Sequence, residues 1–198
     1  MEEIAPGIWH WTAKHPKIGI DVSSYFVVGP DVLLDPLAPP EGDRLDELGH
    51  AREILLTNRH HLRDSVELAE RFGCPIRAPE PGMHEFSDGE PVESYAFGDE
   101  LAGGTVKAYE VGCICPDEAA LHIPSLRALA VADGVIRYTD ELHFVPDQYI
   151  DEPERTKKDL KAAYGRLAEE LDFDHLLLAH GNPVIGDGRE ALKRFAAS

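Results

Sequence analysis

Ile54-Leu55-Leu56-Thr57-Asn58-Arg59-His60-His61-Leu62-Arg63 changes character halfway along. Up to Thr57 the stretch is apolar and of strand length. From Asn58 it is polar, with two adjacent histidines between two arginines. A short apolar run bounded by polar residues predicts a buried strand over 53–57, and polar side chains gathered just past a strand end suit a loop that builds a site. The next residues predict a helix over 65–72 with Val66, Ala69 and Phe72 facing inward. Asp64, with Glu67 three residues on, predicts its capping box.

Before this stretch, short β-like runs at 8–12, 23–28 and 32–35 are separated by Pro and Gly at 16–19 and 29–30, which predicts a meander. A polar stretch follows at 39–49. Beyond the first helix come a strand at 75–78, a Gly/Pro/Glu-rich loop through about Phe97, and a second meander at 104–111, 119–123 and 128–132. The last third is more helical. Asp151-Glu152-Pro153-Glu154 favours helix initiation, and Leu160, Ala163, Tyr164, Leu167 and Leu171 then keep one apolar face. A strand at 175–179 and a capped helix from Asp187 to Phe195 complete the pattern. Two β-rich halves, each ending in helix, suit two sheets sandwiched between helical layers in one domain over 1–198.

Composition narrows the function classes. The chain of 198 residues carries 37 Asp plus Glu against 19 Lys plus Arg, a formal charge of −18. That excess repels phosphate backbones, so nucleic acid is not an expected partner. The longest apolar runs are far short of the roughly 20 residues that cross a bilayer, so no membrane partner is expected either. Three cysteines, Cys74, Cys113 and Cys115, are too few for a disulfide framework, which points to a reducing cytoplasm. Cys113 and Cys115 lack the second pair that a metal or redox motif needs, and read as buried small hydrophobes. Trp9 and Trp11 alternate with Ile8, His10 and Thr12, so one tryptophan is expected against the core.

Four landmarks, in order, resemble the metallo-β-lactamase superfamily. They are Val32-Leu33-Leu34-Asp35, Ile54-Leu55-Leu56-Thr57 entering the histidine-rich turn, Leu129-Ala130-Val131-Ala132-Asp133, and Leu178-Ala179-His180-Gly181. The resemblance implies an α/β (α+β) fold, the four-layer αβ/βα sandwich. It also implies a His-x-His-x-Asp-His turn after the threonine, whose side chains surround two metal ions. Anchored on Thr57, the first ligand position here holds Asn58, the second His60, and the Asp-His pair has become Leu62 and Arg63. The family's Gly-His-Thr-Pro-Gly-Ser motif corresponds to Cys113-Ile114-Cys115-Pro116-Asp117-Glu118, with Ile114 in the histidine position unless a one-residue slip offers Cys113 or Cys115. Asp133 matches the bridging carboxylate and His180 the final histidine.

Of seven implied ligands, His60, Asp133 and His180 remain, enough in number for one zinc or iron ion but divided between the two metals of the family. Arg63 adds a fixed positive charge, which about 4 Å from a divalent ion costs roughly 8 kcal/mol at an effective dielectric of about 20. A good structural zinc site contributes about 10–16 kcal/mol. The expected protein therefore lacks an intact dinuclear site and binds or acts on a small molecule. His60, His61, Asp133 and His180 are the candidate catalytic residues, and the cofactor is either none or a single divalent metal. Metal-free acid–base chemistry by these histidines with Asp133 is one mechanism. Mononuclear metal-dependent hydrolysis or lysis is a second, and a non-catalytic structural or interaction role is the third.

Overall fold

The early hydrophobic runs pair with one another in chain order. In a computed structural model, which describes residues 1–40 and 44–198, β1 (Glu2–Ala5), β2 (Ile8–Lys14), β3 (Asp21–Val27) and β4 (Val32–Leu34) form an antiparallel meander. The same sheet continues in parallel through β5 (Glu53–Leu55), β6 (Ile76–Pro79) and β7 (Val92–Tyr95). A second sheet has the order β12-β11-β10-β9-β8, from β8 (Glu100–Leu101), β9 (Val106–Glu110), β10 (Ala119–Ile123), β11 (Ala128–Val131) and β12 (His175–Leu178). Its pairs are antiparallel except β11 with β12.

Strand alternation sorts the apolar side chains into three layers of core. Leu34, Leu55, Leu121, Ala130 and Leu177 meet between the sheets. Leu33, Ile54 and Ile76 face the other way, under α1 (Leu45–Leu48) and α2 (Ser65–Phe72). Leu129, Val131, Leu176 and Leu178 lie under α3 (Pro153–Glu170) and α4 (Gly188–Ala197). The result is helix, sheet, sheet, helix, the four-layer αβ/βα sandwich. Along α3 the predicted period holds, with Leu160, Tyr164 and Leu167 fully buried, each contributing about 1.5–3 kcal/mol.

Two local expectations change. Asp64 stands at the start of α2 but makes no capping bond. Its carboxylate accepts instead from the Ala38 amide at 2.8 Å, tying the helix to the segment after β4. β7 lies within the stretch expected as loop. Its neighbours Glu93 and Ser94, on opposite faces, are both exposed, so no alternation advertises a strand that is held by main-chain pairing with β6. Part of the polar stretch 39–49 lies outside the described residues. Among the described residues no helix is long and apolar enough to cross a membrane.

Candidate functional site

Parallel pairing puts strand ends side by side, and ligand crevices in such sheets lie beyond the carboxyl ends of the strands. Leu34 is in register with Leu55, so Asp35 and Thr57 emerge together from the first sheet; Val131 is in register with Leu178, so Asp133 and His180 emerge together from the second. Three bonds hold these ends face to face. The Tyr25 hydroxyl donates to the Leu178 carbonyl at 2.8 Å, the Ser23 amide to that of Ala179 at 2.9 Å, and the Ala119 amide to that of Thr57 at 2.8 Å.

After Thr57 the chain makes a 3-10 turn over Arg59–His61. Asn58 caps it, its side-chain oxygen accepting from the His60 amide at 2.9 Å. The turn sends the His60 ring out to solvent and the His61 ring inward, where it is buried. His61 Nδ1 is 3.0 Å from Asp35 Oδ2 and 3.0 Å from Thr57 Oγ1, and its Nε2 is 3.2 Å from Asp133 Oδ1. His180 Nε2 is 2.9 Å from that same Asp133 oxygen. Asn58 Nδ2 donates to the other, Oδ2, at 2.8 Å. One donor atom from each of His61, Asp133 and His180 lies within 4.8 Å of the other two, which would suit a metal ion.

Two glycines make these positions possible. Gly181 has φ +85°, and a Cβ there would come within 2.0 Å of the Arg137 carbonyl oxygen. Only glycine fits that close approach, which fixes the turn after His180. A Cβ on Gly134 would come within 2.5 Å of Leu160 and of the Tyr164 hydroxyl, so the turn after Asp133 is seated directly on α3.

Burial and charge shape the titrations. Burial alone would depress His61, but the Asp35 and Asp133 carboxylates on either side reverse that and raise it to about 9. Burial works against ionisation of Asp133 too, yet His61 and His180 hold its carboxyl well below the usual range. The same competition, with Arg63 and Thr57 adding to His61, lowers Asp35. Glu118 is fully buried and raised to about 7, by burial first and then by the charge of Asp133. It accepts from the Gly134 amide at 2.6 Å and the Ile114 amide at 3.2 Å.

The residues in the remaining ligand positions point elsewhere. Leu62 packs with the core under α2, and Ile114 and Cys113 with the core under α3. Cys115 is buried, and burial followed by neighbouring carboxylates pushes the Cys113 thiol up to about 12. The Arg63 guanidinium donates to main-chain carbonyls of Ser23 and Asp35. Trp11 is the tryptophan that packs on the core, donating to the Leu37 carbonyl at 2.7 Å, while Trp9 is partly buried. Asp35 and Glu118 were not among the sequence candidates. An aspartate directly after an apolar strand was the available signal for the first; for Glu118, beside Asp117 in an acidic chain, there was none.

A family model described as the metallo-β-lactamase superfamily matches residues 3–198. No curated protein matches the chain by sequence. Among solved structures, the DIM-1 metallo-β-lactamase superposes with a TM-score of 0.75 at 13% identity, covering 99% of this chain and 95% of that one. A metallo-β-lactamase from Pontibacter korlensis gives 0.71 at 19% identity, covering 100% and 98%. The rubredoxin oxygen:oxidoreductase of Desulfovibrio gigas gives 0.68 at 14%, covering 99% of this chain and 60% of its own. Identities this low speak to the fold alone.

Proposed function

Since the chain belongs to the metallo-β-lactamase superfamily, we propose that it acts on a small molecule at His61, Asp133 and His180, with at most one divalent ion and no dinuclear centre. One observation carries this reading. Three donor side chains from three strand ends converge, while of the other ligand positions His60 is exposed to solvent and the rest hold Asn58, Leu62, Arg63 and Ile114, none of them an anionic or imidazole donor.

The donor set fits a single ion. Two imidazoles and a carboxylate are a sufficient protein contribution for catalytic zinc or non-haem iron. When bound, such an ion supplies Lewis acidity toward a carbonyl or acidifies water. The chain's own residues do the rest. Asp35 and Thr57 hold the His61 ring by its Nδ1, which leaves Nε2 aimed into the site. Asn58 holds one oxygen of Asp133 and leaves the other to the two imidazoles.

A metal-free reading draws on the same geometry. His61 and His180 meet one oxygen of Asp133, with ring centroids 5.7 Å apart, so a proton can pass among the three without an ion. Elemental analysis of protein purified without chelator separates the two. One equivalent or less, abolished in both His61→Ala and His180→Ala, supports the single-ion form. No metal, with small-molecule binding lost in the same variants, supports the metal-free form. Two bound ions a few ångströms apart would overturn both.

A further inference from the structure

Arg63 lies within the histidine-rich segment, yet its guanidinium bonds neither histidine. It donates through one terminal nitrogen to the Ser23 carbonyl at 2.7 Å and to the Asp35 carbonyl at 2.5 Å, and through the other to the Ala179 carbonyl at 3.4 Å. These three oxygens come from β3, from the residue after β4 and from the residue after β12, and so from both sheets. Three carbonyls gathered on one guanidinium make a seat for positive charge, and the Ala179 oxygen among them also accepts from the Ser23 amide at 2.9 Å. The backbone at Arg63 is in the left-handed region at φ 43°, a conformation that a residue with a side chain keeps only when its surroundings hold it there.

The charge also answers a local need. Burial works against the Arg63 charge and lowers its pKa, and the Asp35 and Asp133 carboxylates at this end of the sandwich offset part of that cost. Buried carboxylates persist where cations face them. An arginine, with its donors in a rigid fork, reaches carbonyls from both sheets at once.

We propose that Arg63 is a tethered cation standing in for the second metal ion: it draws the ends of β3, β4 and β12 onto one charge and so fixes His61, on the first sheet, relative to Asp133 and His180 on the second. This rests on the reading that no second ion binds. Arg63 is a positioning residue, acting through the strand ends and not on the substrate.

The test is chemical rescue. Arg63→Ala should lower the thermal midpoint by roughly 5–10 °C, from the loss of charge-assisted bonds in a chain of this size. It should also shift the ring resonances of His61 and His180 in NMR spectra. Millimolar guanidinium chloride, far below denaturing concentration, should restore the midpoint and both resonances with saturable dependence. Sodium chloride at equal ionic strength should not, and wild-type protein should not respond. Arg63→Lys, which keeps the charge but not the fork, should recover only part of the midpoint. If Arg63→Ala fails to fold, Arg63→Gln, which keeps the apolar stem, takes the same test.

An alanine or glutamine variant with wild-type midpoint and histidine resonances would overturn the proposal, as would losses that guanidinium does not reverse. Rescue does not depend on metal content. Its failure in protein binding one ion or none therefore fails this inference alone, whereas two ions in wild-type protein fail the reading beneath it.

Discussion

Glu118 shows how far a single residue can depart from its usual chemistry when a fold removes its water. Its carboxyl is fully buried, takes the Gly134 and Ile114 amides as donors and feels the charge of Asp133, which together leave it raised to about 7. The folded protein therefore binds a proton at Glu118 that the unfolded chain, at about 4.5, releases earlier. Its contribution to stability is complete below about 4.5 and is lost as pH climbs to 7, a change of about 3 kcal/mol. Glu118→Gln should flatten that part of the stability–pH curve, read by urea denaturation at intervals between pH 4.5 and 8. The glutamine amide faces the Ile114 amide donor for donor, so the variant should also lose about 1 kcal/mol at every pH. A wild-type slope retained in Glu118→Gln would place the titration elsewhere.

At the scale of elements, strand ends and the turns after them decide where chemistry stands. The turn after β12 depends on Gly181, and Gly181→Ala should cost about 2–5 kcal/mol from the backbone strain and the overlap with Arg137. Denaturation midpoints measure that cost, and NMR should show the His180 ring displaced even where the variant stays folded. The start of α2 makes the opposite point. Asp64 has the sequence position of a cap but bonds the Ala38 amide, so Asp64→Ala should cost about 1 kcal/mol. Hydrogen exchange should speed up at Ala38 and leave the first turn of α2 unchanged; faster exchange in that turn would restore the capping role. A capping box can be recognised from spacing, but which amide an aspartate chooses depends on what passes beside it.

Over the whole molecule, the excess of acidic side chains is a field as well as a composition. A formal charge of −18 on one chain stores like-charge repulsion that unfolding relieves and dissolved salt screens. Raising sodium chloride from about 0.05 M to about 0.5 M, a range over which the Debye length falls well below the spacing of surface charges, should raise the thermal midpoint by a few degrees in scanning calorimetry. A midpoint that falls with salt would mean that surface ion pairs such as those of Arg127 with Asp172 and Asp174 outweigh the repulsion.

The sequence alone determined the layering, because apolar periodicity is local: runs such as Ile54–Leu56 and the Leu160–Leu167 face of α3 must be buried whatever surrounds them. It also marked the strand-end landmarks Asp133 and His180, since a polar residue directly after an apolar strand stands out in one dimension. Which histidine of the adjacent pair turns inward is set by long-range packing. Counting from Thr57 selects His60, but the 3-10 turn capped by Asn58 rotates His61 into the space between Asp35 and Asp133. Side-chain direction in a turn depends on dihedral angles set by contacts far away in the chain, and no spacing rule carries that information. The same holds for Arg63, whose three carbonyl partners lie 40, 28 and 116 residues from it in sequence and meet only when the two sheets close on each other.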